Sequence, residues 1–107
     1  MESPRVTVRT EADGACVVVC SGEFDLDTVG ELEAACGAPE AAGAQRLVLD
    51  VSEVVFADSS FLNVLIGLRN RGPLVLEGPL PHQLHRLLEM TGVLPLFEVR
   101  DDRCRRG

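Results

Sequence analysis

The chain has 107 residues, a mass of 11.5 kDa and 46% hydrophobic content, the length and apolar load of one domain, residues 1–107, around one core. Ten arginines, no lysine and seventeen acids give a net charge of −7, which leaves no basic surface to neutralise phosphates and argues against a nucleic-acid partner. No apolar run approaches the roughly 18 residues that cross a bilayer, and residues 1–12 already carry four charged groups, so neither a membrane span nor a signal peptide is expected.

In chain order, Arg5-Val-Thr-Val-Arg9 alternates as a half-buried strand does, and Ala15 to Cys20 is continuously apolar. Asp13-Gly14 between them is a hairpin signal. A helix is predicted from Asp27 or Thr28, with Glu31 completing a capping box on Thr28; Val29, Leu32 and Cys36 share its inner face, and Gly37 with Pro39 ends it. The segment from Gly37 to Gly43 reads as a loop. Arg46 to Val51 is predicted as a strand with helices covering both faces, because Leu47-Val-Leu49 is continuous rather than alternating. Residues 52–57 then connect it to a second helix from Asp58 to Arg71, stopped by Gly72-Pro73. Leu74 to Glu77 is a short strand. Pro81 suits the first turn of a third helix that turns Leu84, Leu87 and Leu88 inward and closes at Gly92. Leu96 to Val99 is predicted as a last strand. The order implies one α/β domain, a mixed β-sheet with an N-terminal antiparallel hairpin and crossover helices, over a core of about 5–99.

The tail from Arg100 to Gly107 holds four arginines and two acids and is expected to be frayed and solvated. The rest is therefore more acidic than the whole, six arginines against fifteen acids. Cys16 and Cys20 lie about 13 Å apart along one strand, beyond disulfide reach, and Cys36 and Cys104 add no zinc spacing. The cysteines read as small buried hydrophobes in a reducing cytoplasm. His82 and His85 share a helical face, but two ligands do not make a metal site. Glu23, Asp25 and Asp27 read as a solvated turn ahead of a helix rather than paired catalytic carboxylates. Ala57-Asp-Ser-Ser-Phe61 lacks the glycine-flanked nucleophile elbow of a serine hydrolase, and no glycine-rich nucleotide loop occurs, so any ATP belongs to a partner and no cofactor is implied.

The most informative stretch is Phe56 to Asn63, where a strand leads into a helix headed by Asp58, Ser59 and Ser60. One of these three is expected to cap the helix, for about 1 kcal/mol. Steps of three or four from Ser59 reach Asn63, Gly67 and Asn70, the stripe without large apolar side chains, so Ser59 should face solvent. A serine there is a chemically apt phosphate acceptor, since the helix N-terminus tolerates an added anion. In an interface the same dianion, beside Asp58, would have to be desolvated, which makes it a binding switch. Phe61, spaced with Leu65 and Leu68, reads as core rather than partner anchor.

Three motifs in order give the chain a resemblance to the STAS domain family, specifically its stand-alone bacterial anti-sigma factor antagonists. They are Gly22-Glu-Phe-Asp25, Leu47-Val-Leu-Asp-Val-Ser-Glu-Val-Val-Phe-Ala-Asp-Ser-Ser60, and Leu87-Leu-Glu-Met-Thr-Gly92. The resemblance implies a non-enzymatic switch: Ser59 is the phosphoacceptor, and Asp25, Asp58, Ser60 and Asn63 are partner-binding positions. It implies as partners an anti-sigma factor serine kinase, bound only by the unphosphorylated form, and a serine phosphatase that resets it. The alternative is a non-switching STAS-like interaction subunit of a transporter-associated or stress-sensing assembly. Phe61 and Asn63 stand where the family commonly has Gly, and the family's final helix after the last strand has no counterpart, which exposes a sheet edge or leaves it to a partner, a second copy in a homodimer included.

Overall fold

A computed structural model describes residues 3–38, 41 and 43–100. Strands β1 (Arg5–Thr10) and β2 (Ala15–Phe24) pair antiparallel, Thr10 opposite Cys16 and Arg5 opposite Ser21. The predicted turn closes them, with Gly14 at φ 89° and the Asp13 carboxylate accepting the Ala15 N–H at 3.1 Å. Helix α1 (Val29–Gly37) leads to β3 (Arg46–Ala57), α2 (Ser59–Arg71) to β4 (Leu74–Glu77), and α3 (His82–Met90) with a 3-10 turn at Leu94–Leu96 to β5 (Glu98–Arg100). The sheet order is β1-β2-β3-β4-β5, with every pair after the hairpin parallel. This is the mixed sheet the sequence predicts. Pro95 holds the residues before Phe97 in the 3-10 turn, so the last strand begins later than predicted. The charged tail from residue 101, Cys104 included, and the predicted helix stop at Pro39 lie outside the described residues.

Crossovers of one hand that always advance to the next place in the sheet deposit their helices on one face. The inner side chains of these three helices accordingly join one cluster: Leu32 and Cys36, Phe61, Leu65 and Leu68, Leu84 and Leu88 pack on Cys16, Val18, Cys20, Leu49, Val51 and Leu76. Helical cover on both faces of β3, expected from its continuous apolar run, is therefore not what the fold provides. Both faces are buried at that point, yet Val48 packs on the second face with Ala15, Val17 and Val75, and among the described residues no helix residue belongs to that smaller cluster.

β3 also runs six residues beyond its predicted end at Val51. The reason is its register on β2, which shifts twice, once between Val19 and Ser21 and once between Gly22 and Glu23. Each bulge inserts a residue and re-aims those that follow. The buried residues of β3 consequently step from Leu49 to Val51, then to Val54 and Ala57, and an alternation of two becomes a spacing of three that does not look like a strand.

Two glycines of the motifs carry structure rather than chemistry. Gly22 has φ 92°, and a Cβ there would collide with the Ser3 carbonyl oxygen, so only glycine lets the N-terminal segment cross β2. Gly92, at φ 78°, terminates α3: its N–H donates to the Glu89 carbonyl at 3.1 Å while Val93 N–H donates to the Leu88 carbonyl at 3.1 Å, the paired bonds of a Schellman stop.

Candidate functional site

The site lies where the parallel strands end and α2 begins. Asp58 stands immediately before the helix in extended geometry, φ −113°, and its Oδ1 accepts the N–H groups of Ser60 at 2.9 Å and Phe61 at 3.4 Å. Asp58 is thus the cap among the three candidates, and the Ser59 hydroxyl is not needed for that purpose. Ser59 is exposed at the first helical position, and Asn63, Gly67 and Asn70 are exposed in line with it, as the helical spacing requires. Ser60 is half-buried. Asn63 and Gly67 line a groove of about 130 Å³ between α1 and α2, walled by Glu33, Val64, Leu68 and Arg71.

Beneath this surface the helix start is held from three sides. Phe61 is fully buried, with its ring centroid 5.3 Å from that of Phe24 at the end of β2, which confirms it as core. The Asp58 N–H donates to the Phe24 carbonyl at 3.3 Å. From α3, the Gln83 side-chain amide makes two hydrogen bonds to the Ala57 peptide: its Oε1 accepts the Ala57 N–H at 2.9 Å and its Nε2 donates to the Ala57 carbonyl at 2.8 Å. Sequence reasoning missed Gln83, since nothing in the pattern around it sets one polar helix residue apart from its neighbours.

Asp25 sits in the adjoining turn, exposed. Its Oδ1 accepts the Asp27 N–H and the Thr28 hydroxyl, both at 3.0 Å, and its own N–H donates to Thr28 Oγ1 at 2.9 Å. The predicted capping box of Thr28 with Glu31 is consequently not formed: Thr28 is the N-cap by position, but its hydroxyl is engaged with Asp25 and makes no cap bond into α1. A carboxylate three residues upstream competes successfully for a short hydroxyl side chain.

Charge and apolar surface single out this end of the sheet. The segments 21–31 and 52–63 that build it carry Glu23, Asp25, Asp27, Glu31, Glu53 and Asp58 and not one arginine. No ion pair among the described residues involves any of these six. Three of the chain's exposed large hydrophobics occur in the same segments, Leu26 at 76%, Val55 at 52% and Phe56 at 42% exposure. Val55 is the residue inserted by the second bulge, so the break in register is what turns adjacent apolar side chains outward.

The other candidates separate from the site. Cys16, Cys20 and Cys36 are buried thiols in the core, and burial pushes Cys36 up to about 11 and Cys20 higher still. His85 faces Glu89 one turn on at 3.8 Å, and no group of three or more potential metal ligands exists among the described residues. No helix among them is long and apolar enough to cross a membrane.

Residues 8–96 match the family model described as "Mlab, STAS domain". Among solved structures, the chain is similar to an anti-sigma factor antagonist from Mycobacterium paratuberculosis, at 29% identity and TM-score 0.80, covering 92% of this chain and 86% of that one. It also shares its fold with the anti-sigma factor antagonist SpoIIAA in its unphosphorylated form, at 17% identity and TM-score 0.74 over 96% and 98% of the two chains. The Bacillus cell fate determinant SpoIIAA in the phosphorylated form gives 16% identity and TM-score 0.68 over 92% and 94%. No curated protein matches the chain.

Proposed function

The chain belongs to the STAS domain family, and from that premise we propose that it is an anti-sigma factor antagonist, a binding module switched by a phosphate on Ser59. The observation that carries this reading is an exposed hydroxyl at the start of α2 that its own helix does not use, because Asp58 supplies the cap. The similarity to a mycobacterial anti-sigma factor antagonist supports the partner class. In this reading the unphosphorylated chain binds an anti-sigma factor, itself a serine kinase, and the sigma factor is released. The exposed Leu26, Val55 and Phe56 supply apolar contact, and Asp25, Ser60 and Asn63 polar contact, around the serine.

Transfer of the γ-phosphoryl group of the kinase's ATP to Ser59 Oγ, with ADP leaving and the hydroxyl proton passing to a kinase base, then ends the complex. The physical cause is local. The phosphate adds about −1.5 to −2 charges to a surface of unpaired carboxylates, and competes with Asp58 for the amides of the first helical turn. In free solution water screens that charge; in an interface it must be desolvated. A fold of this kind tolerates the modification, as SpoIIAA has it with and without phosphate. A serine phosphatase restores the binding form.

The test is incubation with the anti-sigma factor kinase of the same organism, ATP and magnesium, followed by mass analysis. One phosphate is expected on the wild type and none on Ser59→Ala. Ser59→Asp should bind the unloaded kinase about 100-fold more weakly, a difference of about 2.7 kcal/mol. A wild type that binds stably and takes no phosphate would instead favour a permanently held subunit of a transporter-associated or stress-sensing assembly.

A further inference from the structure

The side-chain amide of Gln83 does what a neighbouring strand would do. β3 pairs with β4 only from Leu47 to Asp50, where the register ends at Glu77, and residues 51–57 run on past the end of β4. A strand end without a neighbour on one side frays, because its peptide groups exchange protein partners for water at little cost. At Ala57 this does not happen, since Gln83 reaches down from α3 and offers one acceptor and one donor to one peptide unit, at 2.9 and 2.8 Å. A carboxamide carries an acceptor and a donor on neighbouring atoms, the complement of one peptide unit's N–H and C=O.

The place of the clamp matters more than its strength. Ala57 immediately precedes the Asp58 cap and stands two residues before Ser59, and Gln83 brings α3 to that point of the chain. Gln83 itself is half-buried beneath the loop and does not belong to the exposed stripe of Ser59, Asn63 and Gly67. We infer that Gln83 is a positioning residue for the phosphoacceptor: by fixing the Ala57 peptide it sets where the Ser59 hydroxyl stands relative to an incoming phosphoryl group. The inference rests on the phosphoacceptor reading. It predicts a specific kinetic pattern, because in-line transfer tolerates little misplacement of the nucleophile, whereas docking spreads over a wide surface.

The experiment is steady-state phosphorylation of the full chain by the kinase of the same organism, with Gln83→Met, which keeps the length and removes both hydrogen bonds, and Gln83→Glu, which keeps the acceptor and loses the donor. Amide exchange is followed on the isolated proteins. Gln83→Met should lower kcat at least tenfold per folded molecule with KM within twofold, and should speed exchange of the Ala57 amide at least tenfold while β2 amides are unchanged. Gln83→Glu should fall between it and wild type in kcat, and serves alone if Gln83→Met does not fold. A variant kcat equal to wild type, or a loss confined to melting temperature, overturns the inference while the phosphoacceptor reading stands. A wild type that takes no phosphate on Ser59 removes both.

Discussion

The two ends of the parallel strands are built on different terms. At the end where the strands start, arginines gather: Arg46 reaches Asp13 at 3.1 Å, Arg69 donates to the Leu96 carbonyl at 2.6 Å, and Arg71 overlooks a cavity of about 180 Å³ lined by Cys36, Ala41, Leu47, Leu68 and Pro73. Where β2 and β3 finish, two bulges disturb β3, the carboxylates of segments 21–31 and 52–63 gather with no arginine in those segments, and Leu26, Val55 and Phe56 stand in solvent. On the proposed reading a partner covers that acidic and apolar surface, while the interior beneath it is pinned by Phe24, Phe61 and Gln83. A switch needs this combination, since a surface that is firmly held can lose a partner without losing its fold.

The largest expected effect tests that firmness. Phe61→Ala removes a fully buried ring from under the helix start and should cost about 3–5 kcal/mol in denaturant unfolding, a cavity-scale loss. Were Phe61 instead a partner anchor, stability would hardly move and kinase affinity would fall. Comparison with the exposed Phe56→Ala sharpens the contrast, because there stability should be nearly unchanged and affinity should drop.

A smaller effect separates cap from charge. Asp58→Ala should cost about 1 kcal/mol, because the Ser60 and Phe61 amides lose their acceptor. Asp58→Asn keeps an acceptor and should unfold at the same denaturant concentration as wild type. If like charge is what ends the complex, Asp58→Asn should also reduce the loss of affinity that Ser59→Asp brings, measured as a double-mutant cycle by calorimetry. An unchanged loss would assign the switch to shape rather than to charge.

Much of this was legible in the sequence wherever one period ran unbroken. α2 declared both of its faces, because apolar residues and the Ser59, Asn63, Gly67 stripe follow one helical spacing from cap to Gly72. β4, with its four residues between Pro73 and Gly78, was equally plain. The far half of β3 was not, because bulges change the spacing of buried residues and a strand with the wrong period looks like a loop. The side of the sheet that each helix takes was hidden too, since a continuous apolar strand says that both faces are covered and not by what. At the site, Thr28 had a capping box in sequence and Asp25 in space, and Gln83 owed its role to a contact 26 residues away.

The smallest effect belongs to the arginine-bearing end, and its sign follows from burial. Cys36 lies in the wall of the cavity there, and its thiol is held up to about 11 from an ordinary 9.0 chiefly by burial, with Arg71 pulling the other way and Cys16 adding to the rise. A folded value above the unfolded one means that the unfolded chain releases the proton first as pH rises. The stabilisation is fully present below about pH 9 and is lost as pH climbs through about 11. Cys20, pushed further by deeper burial, extends the same trend in the same direction. Unfolding free energy should therefore decline from pH 9 to 11, and Cys36→Ala should flatten that decline relative to its own value at pH 7. Phosphorylation of Ser59 at the other end should leave the slope untouched, because neither thiol is in the segments that carry the serine and its carboxylates. A slope that changes with the phosphate would show that the two ends communicate through the core, and the division between an arginine-bearing end and an acidic one would fail.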